Sequence, residues 1–441
     1  MKILFILMVL LFSAAIIRYN GMKRFILYLT AILLLPYSIA VLNSPRITAN
    51  EVLALAFFIS VAIRPKQAAE PLRRCPWYVW AALLLVYLGH LGTAVMDYRL
   101  PLASAMVKAH THFFDSFMLL AVGYFSLYDN LTLYRLRRYL VWASIIVAGY
   151  GILTCVAGID PYTQLVERTF NVISDFTPLR GAGRTRACSF LFNSHGFGFF
   201  CAAAFLTLLL LYRRNILRRP LPLAALALLL IGTALSGSRS SLLALLLCAA
   251  FICMVTFTGM QRVKALAATV MLVAAVLLTP FLRQRVEPLM DAFRTGEVQT
   301  AGSNLELRKN QLDIALIFHR KSPTWGNGYD YYAEVLVPDK KLIGDEGLAG
   351  AESYLFMLLI EDGTVQIVLI SFFLLCLALF FLSRLRQNPI YATWGLSVLA
   401  LMVFVALASG MSINWKYSLP LIGMALKAVV NSDRKKTAIT A

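Results

Sequence analysis

Apolar runs recur along the whole chain, and most are long enough to cross a lipid bilayer. A transmembrane helix needs about 20 predominantly apolar residues, with a range of about 17–25. Such runs begin near Ile3, Phe25, Glu51, Trp77, Phe113, Tyr139, Cys188, Leu221, Ser241, Ala265, Thr364, Tyr391 and Tyr417. The first and third runs are short, so the sequence predicts 12 or 13 transmembrane helices. We therefore expect an all-α polytopic membrane protein, with residues 1–441 forming one integral membrane domain.

The composition agrees with this class of protein. The chain is 60% hydrophobic and 14% charged, whereas soluble chains are typically about 45–50% apolar and about 25% charged. The first run, Ile3–Ile17, lacks a clear small-residue cleavage site, and a second apolar run follows it at once. We interpret it as an uncleaved helix rather than a secretory signal peptide.

Basic residues are concentrated in alternate connections between the apolar runs. These connections hold 21 of the 41 lysines and arginines but only three acids, Glu70, Asp129 and Asp433. The positive-inside rule assigns them to the cytoplasm, together with the C-terminus, and makes the inner membrane the expected location. The formal charge of +19 is therefore a signal of topology, and nucleic acid is not an expected partner.

Two outward connections are long, residues 158–187 and 283–351. Loops beyond about 12–15 residues are uncommon and are often functional. We expect the second to be a large periplasmic loop.

The loop 283–351 contains the start signal of a helix. Ser303–Glu306 has the S-x-x-E form of a capping box. The helix that follows should end before Ser322-Pro323 and carry an apolar face. That face comprises Leu305, Leu312, Ala315 and Leu316, and Arg308 falls on it. Arg308 could bind an anion, or its stem could pack while its head reaches water. The next segment, residues 323–329, has glycine-rich turn chemistry without a phosphate-loop pattern.

The apolar run from Glu352 to Phe381 is too long for one span. It would measure about 45 Å as a helix at about 1.5 Å per residue, against a hydrocarbon core about 30 Å thick. Residues Thr364–Phe381 nearly suffice to cross. We therefore expect residues 352–362 to form a separate helical piece at the outer boundary, with a bend at Gly363.

Several arginines need an explanation. Arg239 lies in a very short outward hairpin between two apolar helices, where an ionisable group is costly. It could form an anion site or reach the interface as a snorkelling side chain. Arg180, Arg184 and Arg186 precede the helix that begins near Cys188. They could clamp a phosphate, since the guanidinium fork matches phosphate oxygens, or be solvated surface residues.

Metal and cofactor chemistry has little support in the sequence. None of the seven cysteines forms a CxxC pair, and nothing completes a metal set with His110, His112 and Asp115. His195 could polarise a substrate or be a packed, hydrogen-bonded histidine, while His90 and His319 carry no signal. Nucleotide-binding and Ser-His-Asp motifs are not found. No metal and no cofactor is predicted.

Four short motifs occur in a fixed order. They are Ser238-Arg239-Ser240-Ser241-Leu242-Leu243; Arg308 with the later Pro323-Thr324-Trp325-Gly326-Asn327-Gly328; Glu352-Ser353-Tyr354-Leu355; and Glu361-Asp362-Gly363. Over residues 221–381 this order resembles the O-antigen ligase and O-antigen polymerase (Wzy-type) superfamily. Arg186 to Gly198 is similar to a weaker upstream element of that family.

The resemblance implies a GT-C-like membrane glycosyltransferase that works in the periplasm without a metal. Its donor would be an undecaprenyl-diphosphate-linked oligosaccharide, and its acceptor a glycan or lipid A-core. By the same resemblance Arg239 and Arg308 would bind the diphosphate, with Arg180, Arg184, Arg186 and His195 as further substrate-binding candidates. Glu352 would be catalytic, in the place of the ligases' histidine. Membrane lipids, a chain-length regulator and a flippase are the other expected partners.

The sequence therefore favours a polymerase that joins lipid-linked repeat units of O-antigen, capsule or exopolysaccharide. A ligase that transfers the finished glycan is the nearest alternative. A flippase for the same lipid is the rival from another class. Transporters favour repeated halves with interrupted helices and midplane charges, and these features are not evident here.

Overall fold

The architecture is helical throughout the part of the chain that can be described. The computed structural model describes residues 2–35, 40–43, 46–64, 76–127, 130–170, 186–213, 219–257, 259–260, 262–263, 267, 305–336, 353–409 and 415–440. Within these ranges lie sixteen α-helices and one two-stranded antiparallel hairpin, formed by β1 (Ala40–Asn43) and β2 (Arg46–Thr48). The all-α expectation is confirmed.

The helices are numbered here in chain order. They are α1 (Lys2–Arg18), α2 (Gly21–Leu34), α3 (Ala49–Ala62), α4 (Trp77–Met96), α5 (Leu102–Ser116), α6 (Leu119–Tyr124), α7 (Asn130–Ala157), α8 (Pro161–Phe170), α9 (Ser194–Tyr212), α10 (Pro220–Leu235), α11 (Arg239–Thr256), α12 (Leu305–Lys321), α13 (Tyr354–Glu361), α14 (Gly363–Arg384), α15 (Pro389–Ala408) and α16 (Trp415–Thr440).

Six of these helices are long and apolar enough to cross a membrane: α4, α7, α9, α11, α14 and α15. Helices α3 and α10 are apolar but shorter. Helix α9 lies at the centre of the bundle, since 78% of its apolar window is buried, compared with 39% for α14. The chain is thus a multi-pass membrane protein. The total of 12 or 13 spans stays a prediction, because the run near Ala265 lies largely outside the described residues.

The span expected from Phe113 stays a prediction. Over this run the structure has two helices, α5 and α6, joined by Phe117 and Met118, which keep right-handed helical dihedrals. The six-residue α6 packs tightly on α16. A side chain at Gly123 would meet the carbonyl oxygen of Pro420, and one at Gly423 would meet that of Leu120. The backbones of α6 and α16 are therefore in direct contact.

The helix expected after residue 303 is confirmed as α12, which ends just before Ser322. Its buried face differs in detail from the prediction. Gln311, Ala315 and Phe318 are buried, whereas Leu316 is 36% exposed. The buried stripe therefore runs through positions one residue before the predicted leucines.

The break predicted at Gly363 is also confirmed. Helix α13 ends at Glu361, and α14 begins at Gly363, whose φ is +73°. The Thr364 amide donates to the carbonyl oxygen of Pro323 at 2.9 Å. The chain that leaves α12 therefore rests on the start of α14.

Gly363 is expected to tolerate no side chain. Its positive φ strains any other residue, and a Cβ would meet the backbone nitrogen of Gly326 and the oxygen of Thr324. Gly363→Ala should lower the free energy of unfolding by about 1–3 kcal/mol, measured by thermal unfolding in detergent. Gly149→Ala is the matched control, because a Cβ there meets nothing within 4 Å. Equal stability of the two variants would contradict the proposed close approach at Gly363.

Candidate functional site

The segment that follows α12 folds back onto the helix break. We call residues 322–330 the docked turn. Its Asn327 amide donates to the carbonyl oxygen of Ile360 at 2.9 Å, and its Gly328 amide donates to that of Glu361 at 3.0 Å. Both acceptors belong to the last turn of α13, whose carbonyls lack intrahelical partners. The docked turn is thus joined to the break by backbone bonds, which no side-chain substitution removes directly.

Tyr329 extends from the docked turn into the helix bundle and reaches His90 on α4. The Tyr329 hydroxyl donates to the His90 carbonyl oxygen at 2.9 Å and also lies 2.9 Å from the His90 Nδ1 atom. The Tyr329 hydroxyl therefore contacts both the backbone and the imidazole of His90. The His112 ring stacks on Tyr329 with centroids 4.9 Å apart. A buried tyrosine therefore fixes the docked turn to α4.

An ion pair between the buried Asp97 and the half-buried Arg99 lies beside this contact. Arg99 donates to the Asp97 carboxylate through Nε at 3.2 Å and through Nη2 at 3.1 Å. Arg99 Nη2 also donates to the Tyr329 carbonyl oxygen at 3.0 Å. The Arg99 guanidinium lies 4.9 Å from the Tyr331 ring centroid. The fork geometry of arginine suits this combination of a carboxylate, a carbonyl and an aromatic face.

Lys108 connects α5 to the same segment. Its ammonium lies 2.7 Å from the Asp330 carboxylate and 3.0 Å from that of Glu334. Burial lowers the pKa of Lys108, but the hydrogen bonds and charges of the two carboxylates outweigh it and raise the pKa overall. Three elements, α4, α5 and the break, therefore hold the docked turn.

Two adjacent carboxylic acids lie under the docked turn at the break. Glu361 is 5% exposed and Asp362 is 6% exposed. Burial, and secondly the charge of Asp362, raise the pKa of Glu361 to about 8, although Glu361 accepts a hydrogen bond from the Tyr332 amide at 3.0 Å. Asp362 Oδ1 lies 3.6 Å from His90 Nδ1. At neutral pH Glu361 is therefore mostly protonated.

Arg308, which the sequence singled out, lies on the half-buried side of α12. Its Nη2 atom donates to the carbonyl oxygen of Ala408 at 3.1 Å. Ala408 is the last residue of α15, and a cation at a helix C-terminus is favourable. Arg308 therefore has a local structural partner, and its guanidinium is held at the end of α15.

Arg239 is the first residue of α11 and follows a tight serine-rich turn. Within that turn the Ser238 and Ser241 hydroxyl oxygens lie 2.8 Å apart, and the Ser238 amide donates to Ser236 Oγ at 3.1 Å. Gly237 adopts a φ of +69°. The short hairpin expected around Arg239 is therefore present.

Arg186 lies against this turn. A Cβ at Gly237 would be 3.4 Å from Arg186 Nε, and the Ala187 amide donates to the Leu235 carbonyl oxygen at 3.1 Å. Helix α9 approaches from the other side, because a Cβ at Gly198 would meet Ser236 Oγ. The structure thus brings Arg186 to the turn that carries Arg239.

His195 lies near this turn, one helical turn before Gly198, in the first turn of α9. The α9 N-terminus is capped by Asn193, whose side-chain oxygen accepts from the Gly196 amide at 2.9 Å. Arg180, Arg184 and Glu352 lie outside the described residues. Among the described residues, no group of three His, Cys, Asp or Glu side chains could hold a metal ion.

The sequence interpretation missed His90, whose partners lie far away in the chain. Tyr329, Asp97 and Arg99 were missed with it. An available signal was the position of His90 within an apolar span, because an ionisable residue there usually has a specific partner. His319 was also set aside, yet its Nδ1 atom lies 3.1 Å from the Leu359 carbonyl oxygen and its Nε2 atom 3.3 Å from Thr364 Oγ1.

The comparisons with known proteins point to the same part of the chain. Residues 224–371 match a family model described as O-antigen ligase. The match includes α11, α12, the docked turn and α13, with Arg239, Arg308 and Glu352. A search of curated proteins gives no significant match.

The raised pKa of Glu361 predicts a pH-dependent stability. Between the ordinary carboxyl pKa of 4.5 and about 8, the folded state binds a proton that the unfolded state has released. Stability should therefore fall as pH rises through this window. Glu361→Gln should flatten this slope, since the amide oxygen still accepts from Tyr332. Thermal unfolding from pH 5 to 9 measures the slope of stability against pH. Glu334→Gln, which removes an exposed carboxylate nearby, is the control and should keep the wild-type slope. An unchanged slope in Glu361→Gln would rule out this titration.

Proposed function

We propose that this protein is a membrane glycosyltransferase that polymerises lipid-linked glycan, a proposal supported by the match of residues 224–371 to a family model described as O-antigen ligase. It joins undecaprenyl-diphosphate-linked oligosaccharide repeat units on the periplasmic side of the inner membrane. The observation that supports the proposal is the placement of Arg239 at the start of α11 and of the Arg308 guanidinium at the end of α15, two helices that pack on each other.

Arg239 begins α11, and Arg308 binds the last carbonyl of α15. Helices α11 and α15 pack along each other. Arg384 ends α14, Arg386 lies between α14 and α15, and Arg262 follows α11. With these connections in the cytoplasm, α11 starts and α15 ends on the outer side. Both arginines then face the compartment in which the lipid-linked donor is presented.

Two arginines suit a diphosphate leaving group. The acceptor hydroxyl oxygen attacks the anomeric carbon, the bond from that carbon to the diphosphate oxygen breaks, and its electron pair stays on the diphosphate. Preorganised guanidinium groups stabilise this growing charge. Arg186 lies beside the Arg239 turn and could contact the same group or the first sugar. In this mechanism the arginines take the role that a divalent cation has in other phosphate chemistry.

The proton of the acceptor hydroxyl needs a base. Glu352 is our candidate because it precedes α13 in the matched region, at the junction of the polar loop with the membrane bundle. A carboxylate can accept the proton as the new glycosidic bond forms, and attack from the opposite face inverts the anomeric carbon. Glu361, Asp362 and His195 are the next candidates.

A ligase remains the second candidate function, favoured by the description of the matching family model. In that reaction the acceptor is lipid A-core or another glycan carrier instead of a second repeat unit. The chemistry at the donor is the same. Glu352 favours the polymerase, because the ligases that this region resembles carry histidine at that position.

A surface-glycan gel of a deletion strain separates the two functions. Loss of the polymerase should leave glycan that carries single repeat units. Loss of a ligase should remove the surface glycan and cause long lipid-linked polymer to accumulate. A wild-type ladder of surface-glycan lengths in the deletion strain would contradict both the polymerase and the ligase.

Substitution of the two arginines tests the diphosphate site. Arg239→Ala or Arg308→Ala should abolish polymer formation while the protein remains folded and in the membrane. Lysine should rescue poorly at either position because the bidentate fork is lost. Arg168→Ala, at the end of α8, is a control that should keep normal polymer. Normal polymer from both Ala variants would show that the diphosphate assignment is wrong.

Glu352 has an ordinary alternative role as an acid near the start of α13, worth about 0.3–1 kcal/mol. In that role Glu352→Asp should be nearly silent, and Glu352→Gln should cost little activity. If Glu352 is the base, Glu352→Gln should lower turnover by about 10²–10⁴ while donor binding survives. Glu352→Asp should also lose activity, because its carboxylate is misplaced. Elongation of lipid-linked repeats by purified protein measures this. A normal rate for Glu352→Gln would remove Glu352 from the mechanism.

A further inference from the structure

A cavity of about 380 Å³ opens on the side of the bundle where α7, α9 and α10 meet. Its volume falls within the range of about 300–1,000 Å³ that is usual for ligand sites. The polar and aromatic part of its wall comprises Tyr134, Arg138, Trp142, Tyr212 and Arg219. Neither the proposed reaction nor the match to the family uses these side chains.

The wall of this cavity is strongly cationic. Within the described residues, neither Arg138 nor Arg219 makes an ion pair. A third guanidinium, that of Arg137, lies 5.0 Å from the Tyr134 ring centroid and 4.5 Å from that of Tyr212. Arg137 Nε is buried with no hydrogen-bond partner among the described residues. Three cations without a described counter-charge favour an anionic occupant.

The cavity lies at a membrane boundary rather than in the bundle core. Tyr134 is 49% exposed and Trp142 is 47% exposed, which is typical of the aromatic belts at headgroup level. The basic clusters around Arg138 and Arg219 mark this boundary as the cytoplasmic one. The cavity is also far from Arg239. The first residues of α10 line the cavity, whereas Arg239 follows the last residue of α10. The 16 residues of α10 separate them by about 24 Å at about 1.5 Å per residue.

An exposed apolar stripe continues from the cavity along α7. Trp142, Ile146 (56% exposed) and Leu153 (70% exposed) share one helical face. From Trp142 to Leu153 the stripe is about 16 Å long at about 1.5 Å per residue. This is close to half of the hydrocarbon core, which is about 30 Å thick. The stripe therefore matches the length of an acyl chain in one leaflet.

We propose that this cavity binds the headgroup of an anionic phospholipid from the cytoplasmic leaflet. The phosphate lies between Arg138 and Arg219, and an acyl chain lies along the α7 stripe. Free inorganic phosphate shares the headgroup chemistry but does not use the stripe. Basic pockets between transmembrane helices on the cytoplasmic side are suited to such headgroups. This site stands on the cavity and its charges and does not depend on the proposed glycosyl transfer.

The test uses quenching of Trp142 fluorescence in the full chain reconstituted into vesicles. The vesicles contain dibrominated phosphatidylglycerol or dibrominated phosphatidylcholine in an unlabelled phosphatidylcholine background. The difference between wild type and Trp142→Phe isolates the signal of Trp142 from the other five tryptophans. We expect stronger quenching by phosphatidylglycerol. The preference should fall about five-fold for each arginine removed in Arg138→Gln/Arg219→Gln.

The double variant Arg135→Gln/Arg386→Gln is the matched control. It removes the same charge from exposed positions outside the cavity and should keep the preference. If the pocket variant does not fold, Arg138→Lys/Arg219→Lys, which keeps the charge, should retain most of the preference. Equal loss in the two glutamine variants, or equal quenching by both lipids in wild type, would overturn the proposal. Abolition of the preference by millimolar inorganic phosphate would instead assign the cavity to free phosphate.

Discussion

The backbone contact between the docked turn and the helix break is the interaction on which the rest of the outer face depends. Asn327 and Gly328 donate to the final carbonyls of α13, and Thr364 donates back to Pro323. Gly326, Gly328 and Gly363 all have positive φ values. Side chains at Gly326 and Gly363 would collide with the facing backbone, and one at Gly328 would collide with the Asp97 carboxylate. Because the turn is fixed in this way, α12 is held over the end of α15, and Arg308 reaches Ala408.

Several ionisable groups meet at this contact, and the buried ones have described partners. An unpaired charge away from water is expensive, whereas Asp330 and Glu334 are partly exposed to solvent. Asp97 binds Arg99, Lys108 binds Asp330 and Glu334, and Asp362 lies beside His90. Glu361 is mostly protonated at neutral pH, which avoids the cost of burying its negative charge. The network joins α4 and α5 to the polar segment that follows α12.

The sequence predicts those features that local length and composition determine. The break at Gly363 followed from a run too long for the bilayer, and α12 followed from its capping signal and its Ser-Pro terminus. The class of protein and the short hairpin before Arg239 followed from the apolar runs. The partners of His90 and Arg308 could not be predicted, because Tyr329 and Ala408 lie 239 and 100 residues away. The close approach of Gly123 to Pro420 in α16 also joins residues far apart in the chain, which periodicity does not reveal.

The most direct test of the proposed function is reconstitution of the purified full chain with a synthetic undecaprenyl-diphosphate-linked repeat unit. The reaction is run in EDTA, and both glycan length and free undecaprenyl diphosphate are measured. The account predicts a ladder of longer lipid-linked glycans and one undecaprenyl diphosphate released for each new glycosidic bond. Unchanged single repeats, alongside transfer of a preformed glycan to a lipid A-core acceptor, would contradict the polymerase and establish the ligase.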